Sequence, residues 1–167
     1  MKLGVICDGI SRDLRHALKV MDEFGLDYAE LQFVWDKEVG DHDASEIAQI
    51  KELLDTHNKP VSCLSRHIFA GLTTASKAGD KDHTRHMDYL KCVIEMAHQL
   101  NCPLVRIMTS KKEQILWGTN GAEHWNVAKG AWDTLPPLIA PAVDLARTEG
   151  VTLVVETGNG TMVNSNY

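Results

Sequence analysis

Residues 28–35 read Tyr-Ala-Glu-Leu-Gln-Phe-Val-Trp (YAELQFVW). A run of that length, rich in aromatic and branched apolar residues, is a strand. Its alternation sets Glu30 and Gln32 on one face and Leu31 and Phe33 on the other. A parallel strand covered by helices on both faces would instead read as a continuous apolar run. Polar side chains kept to one face suit a closed barrel, whose strands point side chains inward and gather their chemistry at their C-terminal ends.

The same logic extends outward in both directions. Leu3-Gly-Val-Ile-Cys7 is a short apolar strand, and Asp13 to Phe24 carries Leu14, Ala17, Leu18, Met21 and Phe24 at helical spacing, closed by Gly25. Downstream, Asp43 stands three residues before Glu46, a capping box opening a helix with the stripe Ile47, Ile50, Leu53 and Leu54. Pro60 starts a third strand, VSCLSRHIF, with Ser62 and Leu64 opposite Cys63, Ser65 and His67. Asp82 to Leu100 is a longer helix, residues 103–108 a fourth strand, and Leu138, Ala142, Leu145 and Ala146 lie on a helix ending at Gly150. Val151-Thr-Leu-Val-Val155 is the fifth strand.

Strands separated by helices run parallel with right-handed crossovers. Two architectures satisfy this order: a five-stranded open parallel α/β sheet and a (β/α)8 TIM barrel, which the polarity of the second and third strands favours. A barrel needs about 250 residues, and the chain has 167. Residues 1–167 are therefore expected to form a single partial barrel domain, truncated after about strand five. Two connections follow strand ends, residues 70–82 and 109–130, and the second is long enough to be functional.

Composition bounds the function. With 44% apolar and 24% charged residues the chain is neither low-complexity nor fibrous. A net charge of −6, unbroken by any basic run, argues against nucleic acid or an anionic membrane as partner. The opening MKLGVICDGISRD is too short for a secretory or membrane segment. Cys7, Cys63, Cys92 and Cys102 lack CxxC spacing and sit in apolar runs, so reduced, mostly buried thiols are expected. These readings place the protein in the cytoplasm.

Glu156 ends the most apolar strand, just before Thr157-Gly158-Asn159-Gly160. A carboxylate there suits a metal ligand or a general base, or equally a solvated loop contact. His67 closes the third strand, as a ligand for metal or substrate or as a structural histidine. Glu30 points inward and needs a partner, for which Arg106 on the fourth strand is the candidate. Asp8 reads as a helix cap, and Trp117 and Trp125 as sugar-stacking or loop-anchoring aromatics. His83 and His86 share a helix face in a charged first turn and read as solvated rather than as a zinc pair.

Three segments carry a resemblance: Gly25-Leu-Asp-Tyr-Ala-Glu30-Leu, Ala146-Arg-Thr-Glu-Gly150-Val, and Thr152-Leu-Val-Val-Glu156 followed by Asn159. In order and spacing the chain resembles the xylose-isomerase-like TIM barrels, over their first five β/α units. The resemblance implies a divalent metal (Mn²⁺, Mg²⁺, Co²⁺ or Zn²⁺), with Glu156 as metal ligand and acid/base group. It implies a small-molecule sugar or sugar phosphate as substrate, isomerised or epimerised through an ene-diolate. His67, Glu30, Arg106 and Trp117 form the candidate substrate-binding set. An inosose dehydratase-like lyase is an alternative. An endonuclease IV-like phosphodiesterase is a minor one, because Val105-Arg-Ile-Met-Thr-Ser110 lacks the histidine that branch resembles near the end of strand four. The other metal ligands of the isomerase branch are expected on strands six to eight. A non-catalytic α/β module, or a fragment completed by another chain such as a second copy, is the reading from outside enzymology.

Overall fold

The structure, a computed structural model, describes residues 1–111, 122–158 and 161–163, with side chains of its last helix described from Trp132 onward. Its elements run β1 (Gly4–Ile6), α1 (Leu14–Glu23), β2 (Tyr28–Leu31), β3 (Phe33–Val34), β4 (Lys37–Glu38) and α2 (Ala44–Thr56). Then come β5 (Val61–Ser65), α3 (Lys81–Gln99), β6 (Leu104–Ile107), α4 (Ala122–Thr148) and β7 (Thr152–Val155).

The strands β1, β2, β5, β6 and β7 form one sheet in that spatial order, each pair of neighbours parallel. A doubly wound sheet reverses its strand order at a switch point. No reversal occurs here, so the sheet winds in one direction only, as successive units of a barrel do. The fold is the expected parallel α/β arrangement of a truncated barrel.

Helix ends follow one rule. Asp13, Asp43 and Asp80 cap α1, α2 and α3 by accepting backbone N–H bonds, and Asp43 with Glu46 completes the capping box. Gly25, Asn58, Asn101 and Gly150 then stand at positive φ just past the four helices. In each case the following N–H donates five residues back, from Leu26, Lys59, Cys102 and Val151 to the carbonyls of Met21, Leu54, Ala97 and Ala146. This Schellman closure turns the chain into the next strand four times over.

Register decides which residues meet. Glu30 pairs with Cys63, Ser65 with Arg106, and Arg106 with Val154, so these side chains share the concave face of the sheet. Ala29, Leu31, Leu64, Val105 and Ile107 point the other way, against Leu14, Leu18, Met21, Ile50, Leu90, Ile94 and Ala142 of the helices. Each large side chain buried there contributes roughly 1.5–3 kcal/mol. All four cysteines are free, with Cys92 exposed and the others buried.

Three boundaries differ from the sequence expectation. The second strand stops at Leu31, and Phe33–Val34 folds back antiparallel on Lys37–Glu38. Periodicity missed this because a hairpin keeps the strand's alternation, while the turn rests on Trp35 at φ 55°, an unusual residue for that conformation. The third strand likewise stops at Ser65 rather than running to Phe69. The long connection is shorter than read, since α4 begins at Ala122 despite Pro136, Pro137 and Pro141 within it. Asp8 does not cap α1; it lies in a 3-10 turn and accepts from the Phe33 N–H at 3.4 Å.

Candidate functional site

The concave face carries an open depression of about 470 Å³ lined by Ile6, Glu30, Cys63, Arg106, Val154 and Glu156, among others. Parallel strands place Arg106 and Glu156 on neighbouring elements at the sheet's C-terminal side, where such folds build sites. There the Arg106 guanidinium donates through Nη1 to Glu156 Oε2. Arg106 is largely buried and Glu156 is half exposed. Arg106 Nε and Nη2 are buried without a hydrogen-bond partner.

The expected Glu30–Arg106 pair is not formed among the described residues. Glu30 instead accepts from the Ser65 hydroxyl at 2.5 Å. The reason is positional: β7 lies beside β6 and offers Glu156 to the arginine, while β5 stands between Glu30 and Arg106 and offers Ser65 to the glutamate. Cys63 lies in the same depression, and burial pushes its thiol up to about 11, so it is no ready nucleophile.

His67 lies elsewhere at the strand ends, in a cluster the sequence did not reveal. Its ring Nδ1 is 2.7 Å from Glu38 Oε1, and its backbone N–H donates to the same oxygen at 3.0 Å. The Gln32 amide nitrogen lies 3.2 Å from both ring nitrogens. Glu38 also faces Arg66, which is bidentate to Asp41 at 2.7 and 3.1 Å and donates to the Val39 carbonyl at 2.6 Å. The hairpin β3–β4 brings Glu38 back over β5, and an unrecognised hairpin hides that approach. Thus Glu30, Arg106 and Glu156 are brought together, His67 joins Glu38 and Gln32, and Trp117 lies outside the described residues.

His83 and His86 are not solvated; both are buried. His83 Nε2 donates to the Leu138 carbonyl of α4 at 2.8 Å, while Nδ1 accepts from the Gly79 N–H. His86 Nδ1 accepts from the Phe69 N–H at 3.0 Å. The segment after β5 folds over this helix turn and stacks Phe69 on His83, with ring centroids 5.6 Å apart. Both imidazoles are therefore structural. Among the described residues, no three His, Cys, Asp or Glu side chains cluster closely enough to hold a metal ion. No described helix is long and apolar enough to cross a membrane.

A family profile described as xylose isomerase-like TIM barrel matches residues 18–167. No curated protein matches the chain. Among solved structures, the IOLI protein with a bound zinc atom is 22% identical with a TM-score of 0.62, over 98% of this chain and 55% of its own. A family 2 AP endonuclease from Brucella melitensis is 15% identical, TM-score 0.61, over 98% of this chain and 60% of its own. D-allulose 3-epimerase from a Methylomonas species, in complex with D-allulose, is 15% identical, TM-score 0.60, over 98% and 54%. The chain spans a little over half the length of these structures, and at such identities the likeness is one of fold.

Proposed function

This chain belongs to the xylose isomerase-like TIM barrel family, and from that premise we propose that it carries part of the site of an isomerase or epimerase acting on a sugar or sugar phosphate. The observation that carries the reading is Glu156. It stands at the C-terminal end of β7, half exposed, beside a depression on the concave face, with its carboxylate oriented by Arg106. A carboxylate so placed takes a proton from the carbon next to a substrate carbonyl onto its own oxygen. The electron pair left behind moves into the carbonyl as an ene-diolate. Delivery of that proton to the former carbonyl carbon, as the hydroxyl proton passes from its own oxygen to the former carbonyl oxygen, completes an isomerisation. Delivery of a proton by a second group to the opposite face of the original carbon completes an epimerisation. Arg106 keeps the carboxylate aimed, and His67 reads a substrate hydroxyl at the rim.

The family resemblance also calls for a divalent metal. The described residues do not by themselves fit one: Glu156 is bonded to Arg106, and no three-donor cluster surrounds it. No step is therefore routed through a metal. The same observation favours a second reading, a non-catalytic α/β module in which the Arg106–Glu156 pair is structural.

Solvent deuterium uptake into a ketose substrate, with Glu156→Ala as control, separates the two. The first reading expects uptake at the carbon next to the carbonyl, which the variant loses. A wild-type chain that exchanges no substrate protons leaves only the second.

A further inference from the structure

Glu38 was silent in the sequence, yet it has one of the most constrained settings at the mouth of the sheet. Its Oε1 accepts twice from His67, from the backbone N–H at 3.0 Å and from ring Nδ1 at 2.7 Å. An ionised carboxylate only accepts, so Nδ1 carries the proton of that bond. The other nitrogen of a neutral ring is then an acceptor; the Gln32 amide nitrogen lies 3.2 Å from each of the two ring nitrogens, so the Glu38 bond, not Gln32, sets the tautomer.

Glu38 is itself supported. Its Oε2 lies 3.5 Å from Arg66 Nε, and Arg66 is only 5% exposed. The arginine is fixed in turn by Asp41, by the Val39 carbonyl and by the Tyr89 ring of α3, whose centroid lies 4.3 Å from the guanidinium carbon. A chain of contacts anchored on one buried guanidinium thus ends on an imidazole whose side chain is 49% exposed. A surface ring contributes little to folding by being held in this way; it gains a fixed orientation and a fixed tautomer.

We infer that Glu38 is a positioning residue that holds His67 as the Nδ1–H tautomer and presents Nε2 as the acceptor for a substrate hydroxyl, which replaces the Gln32 amide. The ligand in this statement rests on the sugar-binding reading above; the tautomer does not. The selectivity follows from chemistry. A lone pair on Nε2 favours a hydroxyl donor and gives nothing to a carbonyl or an unprotonated phosphate oxygen.

The test is long-range ¹H–¹⁵N correlation on labelled chain at alkaline pH. The wild type is expected to show a pyrrole-type Nδ1 and a pyridine-type Nε2 for His67. Glu38→Gln keeps an acceptor oxygen and should preserve this pattern. Glu38→Leu should exchange the two nitrogen types, with amide dispersion confirming the fold. Gln32→Ala, which leaves Glu38 in place, should change nothing. An Nε2–H tautomer in the wild type overturns the inference, as does a pattern that survives Glu38→Leu or collapses in Gln32→Ala. Absence of substrate proton exchange and of sugar turnover would sink the functional reading and leave the tautomer result standing.

Discussion

Arg106 and Glu156 are joined across neighbouring strands, a largely buried guanidinium donating to a half-exposed carboxylate. The asymmetry of exposure makes the two halves of the pair unequal. Removing Glu156 leaves a charge in the sheet's concave face with Nε and Nη2 already unpartnered. Removing Arg106 leaves a carboxylate that water can reach. Urea denaturation of Glu156→Ala should therefore show a loss of about 1–3 kcal/mol, the cost of an unsatisfied charged group. Arg106→Met, which fills the space with an apolar chain, should lose less. The reverse order would mean that the carboxylate, not the guanidinium, is the buried member.

Acid should weaken the protein through His86. Burial holds its imidazole below the ordinary value of 6.5, and Arg85 acts in the same direction. Asp82 opposes this, while His83 and Arg66 lower it further by smaller amounts. A folded value below the unfolded one means that the unfolded chain takes up the proton first as pH falls. The stabilisation is complete above 6.5 and drains away as pH drops toward the folded value. Protonation also removes the acceptor of the Phe69 N–H. The urea midpoint should thus fall between pH 7 and pH 5, and His86→Asn, which retains an acceptor oxygen, should flatten that slope. An unchanged slope in the variant assigns the effect to another group. Asp22 and Asp80, whose carboxyls are held low by hydrogen bonds from Lys59 and from the Lys77 N–H respectively, act only at more acid pH.

Much of this scaffold is readable because its signals are local. Asp43 and Glu46 mark a helix start, and Gly25 and Gly150 mark helix ends, each through a bond spanning a few residues. Glu30 on the concave face is legible from alternation alone. What escapes is tertiary. Nothing near residue 106 distinguishes Glu30 from Glu156 as partner; only the strand order does. His83 and His86 sit in a charged turn and read as solvated until the segment carrying Phe69 is laid over them. Glu38 is one more acidic residue in a polar stretch until the hairpin returns it to His67.

The capping box offers a local check. Asp43→Ala removes the acceptor for the Glu46 N–H at 2.9 Å. A loss of about 1 kcal/mol in chemical denaturation is expected from a missing helix cap. Glu46 is also bonded to Lys37 of β4, at 2.6 Å, so Glu46→Ala should cost more than the cap alone by loosening the hairpin. Equal losses would show that the Lys37 bond is idle.

Gly40 tests whether the support beneath His67 is as tight as its geometry implies. It stands at φ 90°, a conformation that costs other residues about 1–2 kcal/mol. A Cβ there would meet Val93 Cγ2 at 2.8 Å, the Val93 nitrogen at 3.1 Å and Arg66 Nη1 at 3.3 Å. Gly71 and Gly79 have similar angles, φ 87° and 86°, but a Cβ on either meets nothing within 4 Å. Gly71→Ala and Gly79→Ala therefore measure the backbone cost alone. Gly40→Ala adds a collision with α3 that neither the helix backbone nor the anchored guanidinium can readily relieve. Its loss in urea denaturation should exceed that of the other two by about 1–3 kcal/mol, the range for overpacking. It should also disturb the His67 ring signals, because displacing Arg66 moves Glu38. If all three glycine variants lose the same amount and His67 is unmoved, the arginine is not held against this turn, and the positioning of His67 has some other origin.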